Sequence, residues 1–116
     1  MFRVALFFLL CFTSLVCSAS ESNCTKLADE AGDSGIPYYP SAEAKVIGGG
    51  KVGFYSSPNA KCKVKGVFVV KGNYLTVFKT YKDWVNVMYV AKNGEDFIGW
   101  LPESKVKIVG QYGRNP

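Results

Sequence analysis

Hydrophobic and polar positions fall into two regimes along this chain. An apolar run spans Val4 to Cys17, with Thr13 and Ser14 as its only polar members. From Lys45 onward the apolar stretches are short and turn formers separate them. Trp84 to Val90 reads Trp-Val-Asn-Val-Met-Tyr-Val, which places Val85, Val87 and Tyr89 on one face by the two-residue strand period. Val67 to Val70 is continuously apolar, and Tyr74 to Tyr81 is rich in β-branched and aromatic residues. Phe97 to Leu101 predicts a returning strand, and Val106 to Val109 a last short one. Turns are expected at Lys71-Gly72-Asn73, at Lys82-Asp83 and at Lys92-Asn93-Gly94-Glu95, where Asn-Gly tolerates positive φ. About five to seven closely spaced strands predict an all-β domain, a small barrel or sandwich. Core candidates are Val52, Phe54, Val67, Val69, Leu75, Val77, Val85, Val87, Ile98 and Leu101.

The first apolar run has a different meaning. Arg3 precedes it, and small residues follow at Cys17, Ser18, Ala19 and Ser20. It is short for a membrane span, which needs about 20 apolar residues. A basic start, a short apolar middle and a small-residue end predict a signal peptide over residues 1–19, cut after Ala19. The mature chain is then expected to be secreted or periplasmic, with no stable membrane anchor. About 97 of the 116 residues remain, enough for one domain.

Export changes the cysteine count. Cys11 and Cys17 leave with the leader, so only Cys24 and Cys62 remain. An even count in an exported chain predicts a disulfide between them. Metal ligation and a cysteine nucleophile are the rival readings, and both are disfavoured because the chain has no histidine. Asn23-Cys24-Thr25 is a formal glycosylation sequon beside that bridge.

Charge divides the mature chain. Residues 20–44 carry Glu21, Asp29, Glu30, Asp33 and Glu43 against Lys26. Breakers such as Gly32, Gly35, Pro37 and Pro40 also lie there. An acidic, loop-rich arm is expected, pinned by Cys24, with at most one helical turn between Cys24 and Ala31. Tyr38 and Tyr39 are placed either to cover the domain or to reach a partner. Beyond residue 44 the balance reverses, with eleven lysines and Arg114 against four acids. Residues 111–116 are expected to form a disordered tail.

At residues 45–110 the spacing of several residues resembles that of bacterial Src-homology-3-like (SH3-like) domains. Gly72, Val77, Trp84, Val87, Gly99, Trp100 and Val106 carry the likeness. Val52-Gly53-Phe54-Tyr55-Ser56-Ser57-Pro58 looks like the family's opening strand and the start of its long first loop. Tyr55 stands where the family usually has Arg. Gly99-Trp100-Leu101-Pro102-Glu103-Ser104 resembles the stretch that leads through a 3₁₀ turn into the last strand. The resemblance implies a small, strongly bent, five-stranded barrel. Its long loop would run from about Ser56 to Gly66, and its distal hairpin from Trp84 to Leu101. It also implies a ligand groove at Tyr55, Trp84 and Pro102, a lining suited to extended peptides. Lys105 stands at the edge of that groove, where eukaryotic relatives usually place Tyr.

Candidate chemistry is sparse. Without histidine, acid–base work would fall to carboxylates or lysines. Asp83, Glu95, Asp96 and Glu103 all lie in or near turns, where solvated carboxylates are ordinary. No catalytic residue, metal or cofactor is expected. Trp84 reads either as a groove residue or as a half-buried packing residue, and Trp100 as packing. Lys61, Lys63 and Lys65 alternate, so an extended loop would carry them on one side as a basic row. The positive balance favours an anionic partner, and the compartment excludes nucleic acid. The expected function is a monomeric, non-enzymatic binding module for a cell-wall peptide or another extracytoplasmic protein. The alternative is a small inhibitor or immunity-type protein that blocks another protein's active site.

Overall fold

Alternating burial at residues 42–46, 51–55, 74–77 and 84–87 sets the architecture. The computed structural model describes residues 23–111. The expected signal peptide and residues 112–116 of the expected tail lie outside them. Residues 23–34 are helical, and we call this helix α1. The strands are β1 (Ile36–Val46), β2 (Lys51–Tyr55), β3 (Lys63–Val70), β4 (Tyr74–Tyr81), β5 (Trp84–Val90), β6 (Asp96–Pro102) and β7 (Val106–Gln111). Short 3₁₀ turns cover Ala60–Cys62 and Glu103–Lys105. All strands belong to one sheet in the order β3-β2-β6-β5-β4-β1-β7, and the pairings are antiparallel.

Two expectations need correction. The sheet has seven strands rather than the five that the resemblance implies. Residues 36–46 form the longest strand although residues 36–44 read as part of a loose arm, and β1 pairs with β4 on one side and β7 on the other. The sequence hides β1 for two reasons. Its inward residues Ala42 and Ala44 are small, and alanine is a weak strand former. Its first half contains Pro37 and Pro40, and the pairing with β4 shifts register between Pro37 and Ala42. Proline has no N–H for a ladder, so an irregularity there is the expected accommodation. The neighbouring tyrosines part company: Tyr38 packs against the core, whereas Tyr39 is 92% exposed.

One face of the sheet holds the core, with buried side chains from every strand. Val46, Phe54, Val69, Leu75, Val87, Leu101 and Val106 represent the seven strands in turn. Ile98, expected inside, is 65% exposed. It pairs with Met88 across β5–β6, whereas the inward row is Val85 opposite Leu101 and Val87 opposite Gly99. The phase of β6 is set by Gly99 and Leu101, and Ile98 falls between them. The β5–β6 hairpin turns through residues 91–95 as expected, with Gly94 at a φ of 90°.

α1 is docked rather than loose. The Cys24–Cys62 disulfide ties it to the first 3₁₀ turn, with Cα atoms 5.9 Å apart. Ala31 is fully buried. Gly35 closes the last turn, its N–H donating to the Ala31 carbonyl at 2.9 Å. A Cβ at Gly35 would lie 2.8 Å from that carbonyl oxygen and 3.0 Å from the Thr80 oxygen, so the lack of a side chain permits the close approach to β4. The Lys79 Nζ donates to the Gly32 carbonyl at 2.8 Å, placing a cation at the helix C-terminus. Lys79→Met keeps the stem and removes this contact. It should cost about 1 kcal/mol, the screened value for a half-buried charged hydrogen bond. Hydrogen exchange checks this: amides near Gly32 should lose protection ahead of those in β5.

Candidate functional site

The outer face of the sheet gathers aromatic side chains where β2, β6, β5 and β4 lie side by side. Cross-strand register does this. Tyr81 pairs with Trp84, Trp84 with Pro102, and Tyr55 with Trp100. Residues directly opposite in an antiparallel pair share a face, so a row forms although its members are distant in sequence. The Tyr55 and Trp84 rings meet edge to face, with centroids 5.0 Å apart and planes at 76°. Tyr81 and Trp100 make a second edge contact at 6.4 Å. Such contacts hold rings in fixed orientations beyond what area burial provides.

Above this platform lies a shallow groove lined by Asp83, Trp84, Pro102, Glu103 and Ser104. One backbone bond holds its rim, the Glu103 N–H donating to the Asp83 carbonyl at 2.8 Å. That bond pulls the 3₁₀ turn at Glu103–Lys105 against the β4–β5 turn. Two carboxylates therefore flank a half-buried tryptophan. The groove is locally acidic in a chain whose formal net charge is +5.

The structure brings Tyr55, Trp84 and Pro102 together. Trp84 is half-buried, and Trp100 is 4% exposed, the floor beneath the platform. Lys105 takes another place. Its carbonyl accepts from the Ile47 and Gly48 N–H groups, and its aliphatic stem lies over Gly48. It braces the β1–β2 connection instead of lining the groove. The chain matches no family model, no curated protein and no solved structure.

The basic row is split. Lys61 sits in the 3₁₀ turn capped by the Asn59 side chain and lines a crevice with Cys24 and Leu27. Lys63 and Lys65 lie on β3 and line a different groove with Lys51 and Phe68. The expected long loop ends at Cys62, so Lys63 to Gly66 belong to a strand. A 3₁₀ turn has three residues per turn and a strand two, so the alternation is interrupted between Cys62 and Lys63. Tyr81 and the paired acids Asp83 and Glu103 escaped the sequence reading as site residues. Only the β4–β5 and β5–β6 registers reveal them, and no local pattern encodes those registers. Among the described residues, no group of three or more His, Cys, Asp or Glu side chains is placed to hold a metal ion.

Proposed function

We propose that this protein is an exported, non-enzymatic binding module of SH3-like type that holds an extended cell-envelope ligand across the Trp84 groove. The observation that carries the reading is the convergence of Tyr55, Trp84 and Pro102 around an open groove. Oriented aromatics beside a proline suit an extended peptide, because they contact its stiff backbone without requiring a deep cavity. The flanking carboxylates Asp83 and Glu103 favour a ligand that carries an amine, as a peptidoglycan peptide or a basic envelope protein would.

Several features support an SH3-like barrel. A 3₁₀ turn precedes the last strand, and a hairpin runs from Trp84 to Pro102, one residue past the implied Leu101. One sheet face is buried by residues from all seven strands, while α1 contributes Ala31 alone to the buried set. A single sheet that buries one face with little cover does so by curling onto itself. The implied first loop, Ser56 to Gly66, then covers the β2–β3 connection and the first residues of β3. Export is supported by the disulfide, which persists in oxidising compartments. No helix among the described residues is long and apolar enough to cross a membrane.

Retention on purified cell-wall sacculi tests the reading. The wild-type protein should be retained through moderate salt, and Trp84→Ala should reduce retention at least tenfold, the scale of a buried aromatic anchor. Equal retention of the variant would exclude the groove. No retention of either protein would sink wall binding and favour the inhibitor reading.

A further inference from the structure

The outer face of the β2–β3 hairpin carries a second surface, whose lining shares no residue with that of the Trp84 groove. Gly53 creates it. On β2 the outward positions are Lys51, Gly53 and Tyr55, and Gly53 is opposite Phe68 of β3. A Cβ at Gly53 would come within 2.7 Å of the Lys63 Cε, so the missing side chain leaves a trough that the Lys63 stem crosses. The trough has a volume of about 530 Å³, and Val64, Val67 and Phe68 supply its apolar lining. Lys51, Lys63 and Lys65 supply its charged rim. Phe68 remains 42% exposed and Val64 37%.

Charge around this trough has one sign. From residue 44 to residue 82 the chain contains eight lysines and no aspartate or glutamate. The complementary partner is therefore anionic with an apolar component. Three classes fit that chemistry, and geometry separates them. A bilayer would require an apolar side chain free to insert. Here the exposed Phe68 and Val64 line a concave surface between lysines rather than a protruding tip. An added β-strand would require free backbone groups along β3. Asn73 already occupies both polar groups of Val70, its side chain accepting from the N–H and its own N–H donating to the carbonyl. The β2–β3 register also shifts between Gly53 and Tyr55, and Gly66 has a φ of 76°. Such an edge is poorly shaped for strand addition. Side-chain docking remains.

We propose that this trough docks an acidic segment of a partner protein, with an apolar side chain seated against Phe68 and Val64 and carboxylates facing Lys51, Lys63 and Lys65. The trough adjoins the platform through the register pair Tyr55 and Lys63, but its lining is its own and the proposal does not depend on the groove's ligand.

The experiment is fluorescence anisotropy on the full chain with its disulfide intact. The probe is a labelled decapeptide alternating Glu and Leu. Two control peptides replace every Glu by Gln or every Leu by Ser. The Glu/Leu peptide should bind, and added salt should weaken it. Both controls should bind at least tenfold more weakly. Phe68→Ser and Lys65→Glu should each weaken the Glu/Leu peptide tenfold or more, with unchanged far-UV circular dichroism. Lys65→Glu changes only an exposed surface charge, so it keeps the test informative if Phe68→Ser does not fold. Trp84→Ala should leave this binding intact. Equal affinity for the Glu/Ser peptide would overturn the proposal by showing ion exchange alone. Phe68-dependent uptake by phosphatidylglycerol vesicles without peptide binding would assign the surface to membranes instead. Loss of peptide binding in Trp84→Ala would place the peptide in the other groove and also overturn it.

Discussion

Replacing Cys24 and Cys62 together by serine should lower the unfolding temperature by roughly 15–30 °C. The bond closes a loop with a sequence separation of 38 residues. Chain entropy over such a loop corresponds to about 4 kcal/mol, and 1 kcal/mol moves the midpoint of a domain this size by roughly 4–8 °C. The tertiary setting makes the full value the expected one. Cys62 is 7% exposed, in the 3₁₀ turn between β2 and β3. Cys24 belongs to α1, which also meets the sheet at Ala31, Gly32 and Gly35. Without the bond, α1 loses its covalent tie to the β2–β3 connection. Calorimetry with and without reductant makes the measurement. A shift below about 5 °C would mean that the unfolded chain is already restricted, or that α1 contributes little to global stability.

Phe54→Ala should cost about 4 kcal/mol, in the range for losing a buried phenylalanine without collapse of the site. Phe54 is 2% exposed and belongs to β2. Its ring sits against the backbone of β6, because a Cβ at Gly99 would fall 2.9 Å from the Phe54 Cδ2 and 2.9 Å from the Tyr55 oxygen. β2 meets β6 at the register pair Tyr55 opposite Trp100, so Phe54 does much of the work of holding the two strands together. Removing it loosens that seam and releases Tyr55 from Trp84. Guanidinium unfolding reads the stability, and tryptophan fluorescence of the folded protein reads the disturbed Tyr55–Trp84 contact. An unchanged midpoint would show that the seam is held by other contacts.

The predictions at the platform and at the hairpin share a physical basis. Glycines at Gly53 and Gly99 remove side chains where two elements must approach, one to admit a lysine stem and one to admit a phenylalanine ring. Both glycines stand in the sequence amid apolar residues. What each admits is a matter of which strand lies beside it.

Local pattern carried part of the fold. The two-residue period placed Val85 and Val87 inside, and Asn93-Gly94 marked the β5–β6 hairpin. β1 was not legible, because Ala42 and Ala44 give a weak alternation and two prolines interrupt its first half. Ile98 was misplaced because hydrophobicity alone does not give the phase of a strand. The glycine at position 99, beneath Phe54, does.

By itself the sequence determined the strand-forming segments from β4 to β7 and the second half of β3, the turns between most of them, the Cys24–Cys62 pairing and the division into an acidic start and a basic remainder. These are local or compositional properties, fixed by side-chain period, turn chemistry and counting. Tertiary structure alone decided that β1 enters the sheet between β4 and β7 and that β2 lies against β6. It also decided that Tyr81, Trp84 and Pro102 form one row while Lys61 parts from Lys63 and Lys65. Those outcomes depend on register between strands distant in the chain. Register is set by burial of the whole inner face, a quantity that no short stretch of sequence contains.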